Sequence, residues 1–465
     1  MKGTQDVREW LLLMVGLLGL GDGVAASEPP FRVGTARVDI TPDRPIRLLG
    51  YASRTKESEG VEQRLWAKAL AIRCGADDPA LLLSVENCAV PEPVTEEVAR
   101  RLEARGRLPR PRFVLCSTHT HEGPCLKGAV HASFYPPLPT EHWQTIERYT
   151  ADLTDRLEKV ALEALENCRP AHLAWSQGKV TFAVNRRLPT TNQGVVMAPN
   201  PEGPVDHTLP LLRVTDEGGK LVAVALNYAC HGTALGGDFN RICGDWPGYA
   251  QAYVEREHPG TLCLVTIGFG GDANPHPRTG LEHAQQQGQA IAKEVERLLQ
   301  GNFERIAPPL TARLERIRLP FEPPPGREVW QERASRQDHV GYHARLQLAR
   351  LDRGEPLRTQ VDYPVQTWVF GKDLAMIFLA GEVVVDYALR LRKELDGSRL
   401  WLTAYANDLP CYIPSRRVLA EGGYEADFAM VYYDRPARLR PEVEDLIVAT
   451  VHRLLPPPFA ATGTR

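Results

Sequence analysis

The chain has no strongly basic block and almost no net charge. Among its 465 residues, 55 Lys and Arg stand against 58 Asp and Glu, which leaves a formal net charge of -3. Proteins that bind DNA or RNA neutralise the phosphate backbone with clustered basic side chains. The composition therefore excludes the nucleic-acid-binding class, and we predict no nucleic-acid partner.

Ordered cysteine spacing, sequence repeats and long apolar runs are also missing. The nine cysteines include no Cys-x-x-Cys pair, so the sequence signals neither a zinc ribbon nor a disulfide framework. Past the N-terminal segment, no apolar run is long enough to cross a bilayer. No internal repeat, heptad array or low-complexity tract is present, which favours a single domain.

The first 26 residues have the pattern of a secretory signal peptide. Two basic residues precede an apolar stretch over residues 10–20, and small residues at 24–26 precede a cleavage position at Ser27. Asp6 and Glu9 are atypical of such a segment, and a buried or uncleaved amphipathic N-terminus is the alternative. We expect the protein to be exported, either secreted or periplasmic.

The remaining chain alternates strand-like and helical segments. Hydrophobic residues make up 43% of the full sequence, which is ample for a sizeable core. Apolar runs and period-two patterns predict strands at 32–41, 65–72, 80–85, 113–115, 208–216, 220–230, 261–267, 310–319, 366–370, 374–379 and 400–405. Apolar residues three or four apart predict helices at 94–104, 141–167, 247–256, 281–299, 328–353, 382–395 and 442–454. We predict an α/β fold, with mixed β-sheets flanked by helices, in one large domain over residues 31–455.

Two histidines follow one of the short buried strands. His119 and His121 are separated by one threonine after the apolar run 113–115. In an extended backbone alternate side chains share a face, so the two imidazoles are expected to point the same way. Neutral imidazole is the commonest metal ligand and carries protons near pH 7. A lone pair of this kind is compatible with a functional site or with hydrogen-bonded structure.

Several other strands also end in polar or glycine-rich loops. These loops are residues 118–124, 230–233, 268–275, 381–382 and 407–414. Ligand sites in α/β sheets collect outside the carboxyl ends of strands, so the recurrence predicts one shared pocket there. His119, His231 and Glu382 would then give a metal two imidazoles and one carboxylate. Such a set leaves a position for water, whose pKa the metal lowers to near 7.

Each of these residues also has a structural interpretation. His231 can bond to neighbouring backbone, and Glu382 can be the acidic first-turn residue that a helix dipole favours. Asp245 and Asp272 can cap helices or turns, and Tyr412 can be a packing residue. The pattern alone leaves both interpretations open.

Eight motifs in a fixed order make the chain similar to one enzyme family. They are Ile40-Thr-Pro42, Thr118-His-Thr-His-Glu-Gly-Pro124, Val184-Asn-Arg186, His231-Gly232, Gly244-Asp245 before Gly248-Tyr-Ala250, Gly271-Asp272, Gly381-Glu382 and Tyr412-Ile413. From about residue 33 to about 425 the chain resembles the catalytic, N-terminal domain of the neutral/alkaline non-lysosomal ceramidases. The resemblance does not extend to the C-terminal β-sandwich of the full-length enzymes.

The resemblance implies a zinc-dependent amidase, which cleaves N-acylsphingosine to fatty acid and sphingosine. The zinc ligands of the family correspond by motif to His119, His231, Glu382 and Tyr412. His121 and Arg186 correspond to residues that line the catalytic pocket. The implied partner is a small-molecule or lipid substrate, whereas peripheral membrane contact and the oligomeric state stay open.

One departure from the family changes the expected chemistry. The family motif Gly-Asp-Val-Ser-Pro-Asn carries a serine assigned as nucleophile, and Asn274 stands in its place here. An amide cannot attack a carbonyl, so we expect direct attack by zinc-activated water. Asn274 is expected to donate a hydrogen bond to the oxyanion. His121 or Asp272 is expected to transfer protons, and Arg186 to orient the substrate.

Two other functions remain compatible with the sequence. Cys125-Leu126 replaces the Gly-Gly that follows the histidine motif in the family, which leaves the lipid substrate open. The replacement at Asn274 favours a catalytically silent protein that binds a lipid or glycan on the same fold. A hydrolase of a different ester or amide would differ only in its pocket lining.

Overall fold

The structure is a computed structural model that describes residues 30–106 and 108–459. The predicted signal peptide, residues 1–26, lies outside the described residues. The strands are β1 (Phe31–Asp39), β2 (Trp66–Cys74), β3 (Ala80–Val85), β4 (Phe113–Ser117), β5 (Arg169–Lys179), β6 (Ala183–Thr190), β7 (Gly194–Asn200), β8 (Thr208–Asp216), β9 (Leu221–Tyr228), β10 (Leu262–Ile267), β11 (Ala273–Pro275), β12 (Glu304–Arg305), β13 (Leu310–Pro320), β14 (Gln360–Phe370), β15 (Leu374–Leu379), β16 (Glu382–Val383), β17 (Leu400–Thr403) and β18 (Tyr412–Ile413). The helices are α1 (Glu92–Gly106), α2 (Thr140–Glu166), α3 (Asp245–Glu257), α4 (Leu281–Leu299), α5 (Arg327–Ala334), α6 (His339–Asp352), α7 (Asp386–Glu394), α8 (Arg416–Glu421), α9 (Ala429–Tyr432) and α10 (Val443–Leu454).

Two mixed sheets form the centre of the molecule. The larger sheet has nine strands, in the order β10-β9-β8-β5-β1-β2-β3-β4, with β12 paired to β5. The smaller sheet has the order β13-β14-β15-β17. Neighbours are mostly antiparallel, but β9 and β10, β3 and β4, and β15 and β17 run parallel. Two short sheets, β11-β6-β7 and β16-β18, lie outside these two.

The two large sheets pack against each other and are covered by helices on their outer faces. Side chains alternate along each strand, so Leu70 of β2 joins Trp368 and Trp401 of the smaller sheet in one buried cluster. The next residue, Ala71, faces the other way and belongs to a cluster with Leu157 of α2. Helices α2, α3 and α4 contact the larger sheet, and α10 contacts the smaller one. The predicted α/β fold, with mixed sheets flanked by helices in a single domain, is confirmed.

Elements with a strong local pattern occur where the sequence predicts them. Helix α4 has the predicted bounds Leu281–Leu299, and strand β3 has the predicted bounds Ala80–Val85. Strands β8 and β9 pair antiparallel around the predicted turn near residue 217. Each of these segments buries either one apolar face of a helix or a continuous apolar strand, so the pattern of apolar residues along the sequence is enough to predict it.

Two predicted helices are wrong in their extent. The segment 328–353 forms two helices, α5 and α6, because the Asp338 side chain accepts a hydrogen bond from the Gly341 N–H and caps a new helix. The segment is also less solvated than its charge suggested, since Trp330 and His343 are buried. The helix predicted to open at Glu382 begins at Asp386 instead, and Glu382 lies in strand β16.

The buried imidazole of His343 couples the packing of α6 to pH. Its Nε2 accepts a hydrogen bond from Gln347 Nε2 at 2.9 Å. Burial lowers the pKa of His343 to about 4, with Arg350 and Arg333 acting in the same direction and Asp434 opposing them. The unfolded chain binds a proton here below about pH 6.5, whereas the folded chain does not, so stability falls as the pH drops through this window.

We expect His343→Gln to remove this pH dependence. Between pH 7 and pH 5 the wild-type protein should lose about 2 kcal/mol more unfolding free energy than the variant, measured by urea denaturation at both pH values. His452→Gln, at a partly exposed position on α10, serves as the control and should follow the wild type. Equal losses in the wild type and His343→Gln would contradict the prediction.

The described residues contain no helix that combines the length and apolar character needed to cross a membrane. All nine cysteines lie within them, and each is a buried free thiol.

Candidate metal centre

Loops from both edges of the larger sheet meet at one place. The Ser84 hydroxyl of β3 donates to the Val265 carbonyl of β10 at 2.6 Å, although these strands are far apart in the sheet order. The segment after β17 forms backbone hydrogen bonds to both edge strands of the larger sheet. Ala404 N donates to Ile267 O of β10 at 2.8 Å, and Ser117 N of β4 donates to Tyr405 O at 3.2 Å. The carboxyl ends of β4, β9, β10, β15 and β17 therefore lie side by side.

Backbone hydrogen bonds tie these loops together in sequence. His121 N donates to Gly232 O at 3.1 Å, and His231 N donates to Ala273 O at 3.1 Å. Gly271 N donates to Val383 O at 2.8 Å. Each bond joins a loop that carries a predicted site residue to the next such loop, so the side chains are placed by main-chain contacts.

Two glycines permit this close approach of the loops. A side chain at Gly232 would place its Cβ 2.7 Å from the His119 carbonyl oxygen. A side chain at Gly271 would place its Cβ 2.6 Å from the Glu382 carbonyl oxygen. Only glycine fits where two backbones are this close.

Glu382 and Tyr412 are direct neighbours across the small parallel sheet. They occupy matching positions in β16 and β18, and Glu382 N donates to Cys411 O at 3.1 Å. Neighbouring side chains on one face of a sheet lie close together. The structural interpretation of Glu382 as a first-turn helix residue is therefore wrong, since the helix begins four residues later.

The two histidines of the motif converge, but not through an extended backbone. His119 has φ 56, in the left-handed region that few residues other than glycine adopt. The alternation argument is thus wrong for this segment. His119 and His121 nevertheless approach each other, with 3.3 Å between their Nε2 atoms. Residues other than glycine with a left-handed backbone are concentrated at functional sites, where the surrounding contacts hold this conformation.

Three electron-rich atoms face one another at the centre of the site. Glu382 Oε2 lies 2.9 Å from His231 Nε2 and 3.3 Å from His119 Nε2. On the far side of each ring, His119 Nδ1 lies 2.8 Å from the Cys88 carbonyl oxygen, and His231 Nδ1 lies 3.0 Å from the Gly270 carbonyl oxygen. Each Nδ1 therefore carries the proton and donates it, which leaves both Nε2 lone pairs directed at the carboxylate.

This donor set fits a divalent metal ion. Glu382 Oε2 is buried and has no hydrogen-bond partner among the described residues. The ligand atoms of His119, His231 and Glu382 all lie within 4.8 Å of one another. Two imidazole nitrogens and a carboxylate oxygen that approach this closely repel each other unless a proton or a cation lies between them, and zinc accepts these ligand types.

Tyr412 and Arg186 complete the same cluster. The Tyr412 hydroxyl lies 3.3 Å from His231 Nε2. Arg186 Nη2 donates to this hydroxyl at 2.8 Å, and Arg186 Nη1 lies 3.1 Å from His231 Nε2. Burial raises the pKa of the Tyr412 phenol well above its usual value, and the neighbouring guanidinium opposes that shift. The structure thus brings all four residues matched to zinc ligands to one point.

His121 and Asn274 also line the cavity beside this cluster. Burial and the neighbouring imidazoles lower the pKa of His121 well below its usual value, and its Nδ1 has no partner among the described residues. Asn274 Oδ1 accepts hydrogen bonds from Arg186 Nη1 at 3.1 Å and from Thr233 Oγ1 at 3.3 Å. No described residue accepts from the Asn274 amide nitrogen, which is left as a donor.

Asp272 is placed differently from the other predicted site residues. It is fully buried and is not one of the described residues that line the cavity. Its Oδ1 accepts from Val385 N at 2.8 Å, and its Oδ2 accepts from Asn185 Nδ2 at 3.0 Å. Burial raises its pKa to about 6. Asp272 therefore connects the segment that follows Glu382, through Val385, to the residue that precedes Arg186, through the Asn185 side chain.

The cluster opens into a cavity of about 230 Å³. The predicted site residues that line it are His119, His121, Arg186, Asn274, Glu382 and Tyr412. Leu49, Val130 and Leu409 add apolar surface to the same cavity. A concave site with a few convergent polar groups and an apolar wall is typical of small-molecule and lipid binding.

Sequence reasoning missed several residues that hold the cluster in place. The Tyr433 hydroxyl bonds to Glu382 Oε1, and Glu425 Oε1 accepts from Arg186 Nε at 2.8 Å. Both lie between residues 424 and 433, where a π-helix and α9 pack beside the cavity. The only local signal is aromatic residues four apart, at Tyr424, Phe428 and Tyr432. That spacing predicts a packed helix and says nothing about which carboxylate a phenol contacts.

Comparison with known proteins places this geometry in a family. The model of the N-terminal region of neutral/alkaline non-lysosomal ceramidases matches residues 31–269, just over half of the chain. A neutral ceramidase from Pseudomonas aeruginosa is 26% identical over 251 residues, covering 53% of this chain and 37% of that protein. A neutral ceramidase from Mycobacterium tuberculosis is 30% identical over 233 residues, covering 48% of this chain and 36% of that protein. The chain thus spans little more than a third of these curated relatives.

The fold is shared with solved structures along almost the whole chain. A ceramidase complexed with C2 matches 94% of this chain and 78% of its own, with a TM-score of 0.69 and 17% identity. The crystal structure of neutral ceramidase from Pseudomonas aeruginosa matches 94% of this chain and 77% of its own, with a TM-score of 0.69 and 18% identity. At this identity the likeness shows the fold alone.

Proposed function

The chain belongs to the neutral/alkaline non-lysosomal ceramidase family, and on that premise we propose that it is a zinc-dependent amidohydrolase of an N-acyl, ceramide-like lipid. The observation that carries the proposal is the meeting of His119, His231 and Glu382 within 4.8 Å of each other, at a point where His119 and Glu382 line one cavity. The unpartnered Glu382 Oε2 between two imidazoles favours a bound cation over a purely structural role.

The proposed metal is held by His119, His231, Glu382 and Tyr412. Bound zinc supplies Lewis acidity, which polarises an amide carbonyl and makes water a nucleophile near neutral pH. The carbonyls of Cys88 and Gly270 orient the two imidazoles through their Nδ1 atoms.

The other cavity residues orient the substrate and move protons. The Asn274 amide nitrogen donates to the developing oxyanion, since its oxygen is already engaged by Arg186 and Thr233. Arg186 is held by Glu425 and so keeps Asn274 and Tyr412 in place. His121 lies in the cavity wall beside His119 and transfers the proton from water to the leaving amine.

The nucleophile in this proposal is water and not a side chain. Asn274 occupies the position of the family serine, and an amide cannot form an acyl-enzyme. The same replacement is the specific observation in favour of a second function, a catalytically silent protein that binds a lipid or glycan in this cavity. A hydrolase of another ester or amide is the remaining alternative.

Metal removal tests the proposed function. We expect the purified full chain to hold about one zinc ion and to release amine from N-acylsphingosine. Removal of the metal with a chelator should lower this activity at least about 100-fold, and added zinc should restore it. Metal content is measured by mass spectrometry, and amine release is measured on N-acylsphingosine, other N-acyl amides and esters.

Two outcomes would contradict the proposal. A protein without stoichiometric metal, whose activity survives the chelator, is not a zinc hydrolase. Binding of labelled N-acyl lipids without amine release would instead support the silent binding protein.

Export also remains a proposal, and N-terminal sequencing of the mature protein should find Ser27 first if the predicted peptide is removed.

A further inference from the structure

Arg278 is a rigidly held guanidinium in the wall of the metal cavity. Its Nε donates to the Thr233 carbonyl oxygen at 2.9 Å, and its Nη2 donates to the Tyr51 hydroxyl at 2.8 Å. The Tyr51 hydroxyl in turn donates to the Leu235 carbonyl oxygen at 2.6 Å. No described residue accepts a hydrogen bond from Arg278 Nη1. Its two N–H groups are therefore left for a ligand.

Arg278 also lacks a carboxylate partner, unlike the other arginines at this site. Arg54 pairs with Glu122 at 2.9 Å, and Arg186 pairs with Glu425 at 2.8 Å. Within residues 30–106 and 108–459, no carboxylate oxygen lies within 4.0 Å of the Arg278 guanidinium. The buried carboxyl of Asp245 interacts with Arg278 electrostatically but not by a hydrogen bond, so the guanidinium has no contacting anion and can bind one.

Arg278 lies where two cavities meet. It lines the metal cavity and also an adjoining pocket of about 110 Å³, and Asn274 lines both as well. A water molecule occupies about 30 Å³ of liquid volume, so the pocket holds a group of only a few heavy atoms. The larger cavity offers apolar surface from Leu49, Val130 and Leu409, against which an alkyl chain can pack.

We propose that Arg278 binds a carboxylate on the amine part of the substrate, so that N-acyl amino acids are hydrolysed in preference to N-acylsphingosine. The inference rests on the proposed amide hydrolysis and names its substrate. The acyl chain lies in the larger cavity, the scissile amide lies beside Asn274, and the small carboxylate-bearing fragment fills the adjoining pocket. A hydrogen bond from a guanidinium N–H to a carboxylate is charge-assisted and stronger than a hydrogen bond between neutral groups.

The test compares two substrates that differ in one group. N-dodecanoylglycine carries the carboxylate, and N-dodecanoylethanolamine has a neutral hydroxyl in its place. We expect the wild type to prefer the glycine compound, and Arg278→Gln to lower kcat/KM for it at least about tenfold more than for the neutral compound. Arg297→Gln, an exposed position on α4, is the matched control and should leave both rates as in the wild type.

Each other outcome has a defined meaning. Equal losses on both substrates, or no wild-type preference for the glycine compound, would overturn the inference and leave the amide hydrolysis standing. Relief of inhibition by dodecanoate in Arg278→Gln, without a change in substrate preference, would assign Arg278 to the fatty-acid product and would also overturn it.

Equilibrium binding separates this inference from the proposed function. The ketone 4-oxopentadecanoic acid, in which a CH₂ group replaces the amide N–H of N-dodecanoylglycine so that it cannot be hydrolysed, is titrated by calorimetry into the metal-loaded wild type and Arg278→Gln, and we expect binding at least about tenfold weaker in the variant. If neither protein releases amine but this difference holds, the hydrolase proposal fails and the carboxylate site stands. Equal binding to the two proteins would contradict the proposed carboxylate site, whatever the activity of either protein.

Discussion

Glu382→Gln should abolish stoichiometric metal binding and lower amide hydrolysis about 10³-fold. Glu382 is the one carboxylate among the four proposed ligands, and its Oε2 lies 2.9 Å from His231 Nε2 and 3.3 Å from His119 Nε2. Glutamine keeps the volume and an oxygen for the Tyr433 hydroxyl, but it removes the negative charge that faces the metal. A metal contributes several kcal/mol of transition-state stabilisation, and each 1.4 kcal/mol is a factor of ten in rate.

The control for this experiment is Glu442→Gln at the start of α10. Glu442 is about half exposed, and its nearest cationic partner is Arg440 at 3.8 Å. Metal content and kcat/KM are measured for both variants and the wild type, and the melting temperature verifies that each is folded. A folded Glu382→Gln protein that keeps its metal and its activity would show that the cluster is not a metal site.

Glu425→Gln should cost about 3–5 kcal/mol of unfolding free energy. Glu425 is buried between two buried guanidiniums, with 2.8 Å to Arg186 Nε and 2.6 Å to Arg187 Nη1. Burial opposes ionisation of Glu425, but the two arginines hold its pKa below the usual range. Removing one member of a buried ion cluster leaves charge without compensation, which costs far more than the pair contributes. Arg187 keeps Glu421 as a partner, so the main loss falls on Arg186.

The control for this prediction is Asp352→Asn, which removes one partner of an exposed ion pair. Asp352 lies 2.6 Å from Arg327 Nη1, and both side chains are largely exposed. Solvent screens such a pair, so we expect a change below about 1 kcal/mol. Urea denaturation of both variants gives the comparison. A similar small change for Glu425→Gln would mean that Arg186 and Arg187 are stabilised by contacts other than this carboxylate.

The fold was predictable where a segment carries its own pattern. Helix α4 and the hairpin of β8 and β9 follow from apolar periodicity, which depends only on neighbouring residues. The break between α5 and α6 was missed because it depends on one capping contact, from Asp338 to Gly341. The short strands β16 and β18 have no pattern of their own, since each is two residues long and exists only because the other is beside it.

The site, like the fold, was predictable in part. Motif order identified His119, His231, Glu382 and Tyr412, and the structure brings these four together. The extended-backbone argument for His119 was wrong, because contacts with Gly232 and the segment after β17 hold it at positive φ. Tyr433, Glu425 and Arg278 gave no signal in the sequence. Their roles depend on which distant carboxylate, hydroxyl or carbonyl each one meets.

The sequence by itself determined the α/β class, most helices and strands, and which residue types are available for metal chemistry. These depend on composition, periodicity and short motifs, which are local properties of the chain. The sequence also predicted that the loops after β4, β9, β10, β15 and β17 share a pocket. Only the tertiary structure decided which side chains of these loops line the cavity, and that Asp272 lies behind its wall. Those facts depend on the packing of two sheets and on hydrogen bonds between residues more than one hundred positions apart, as between Asp272 and Val385.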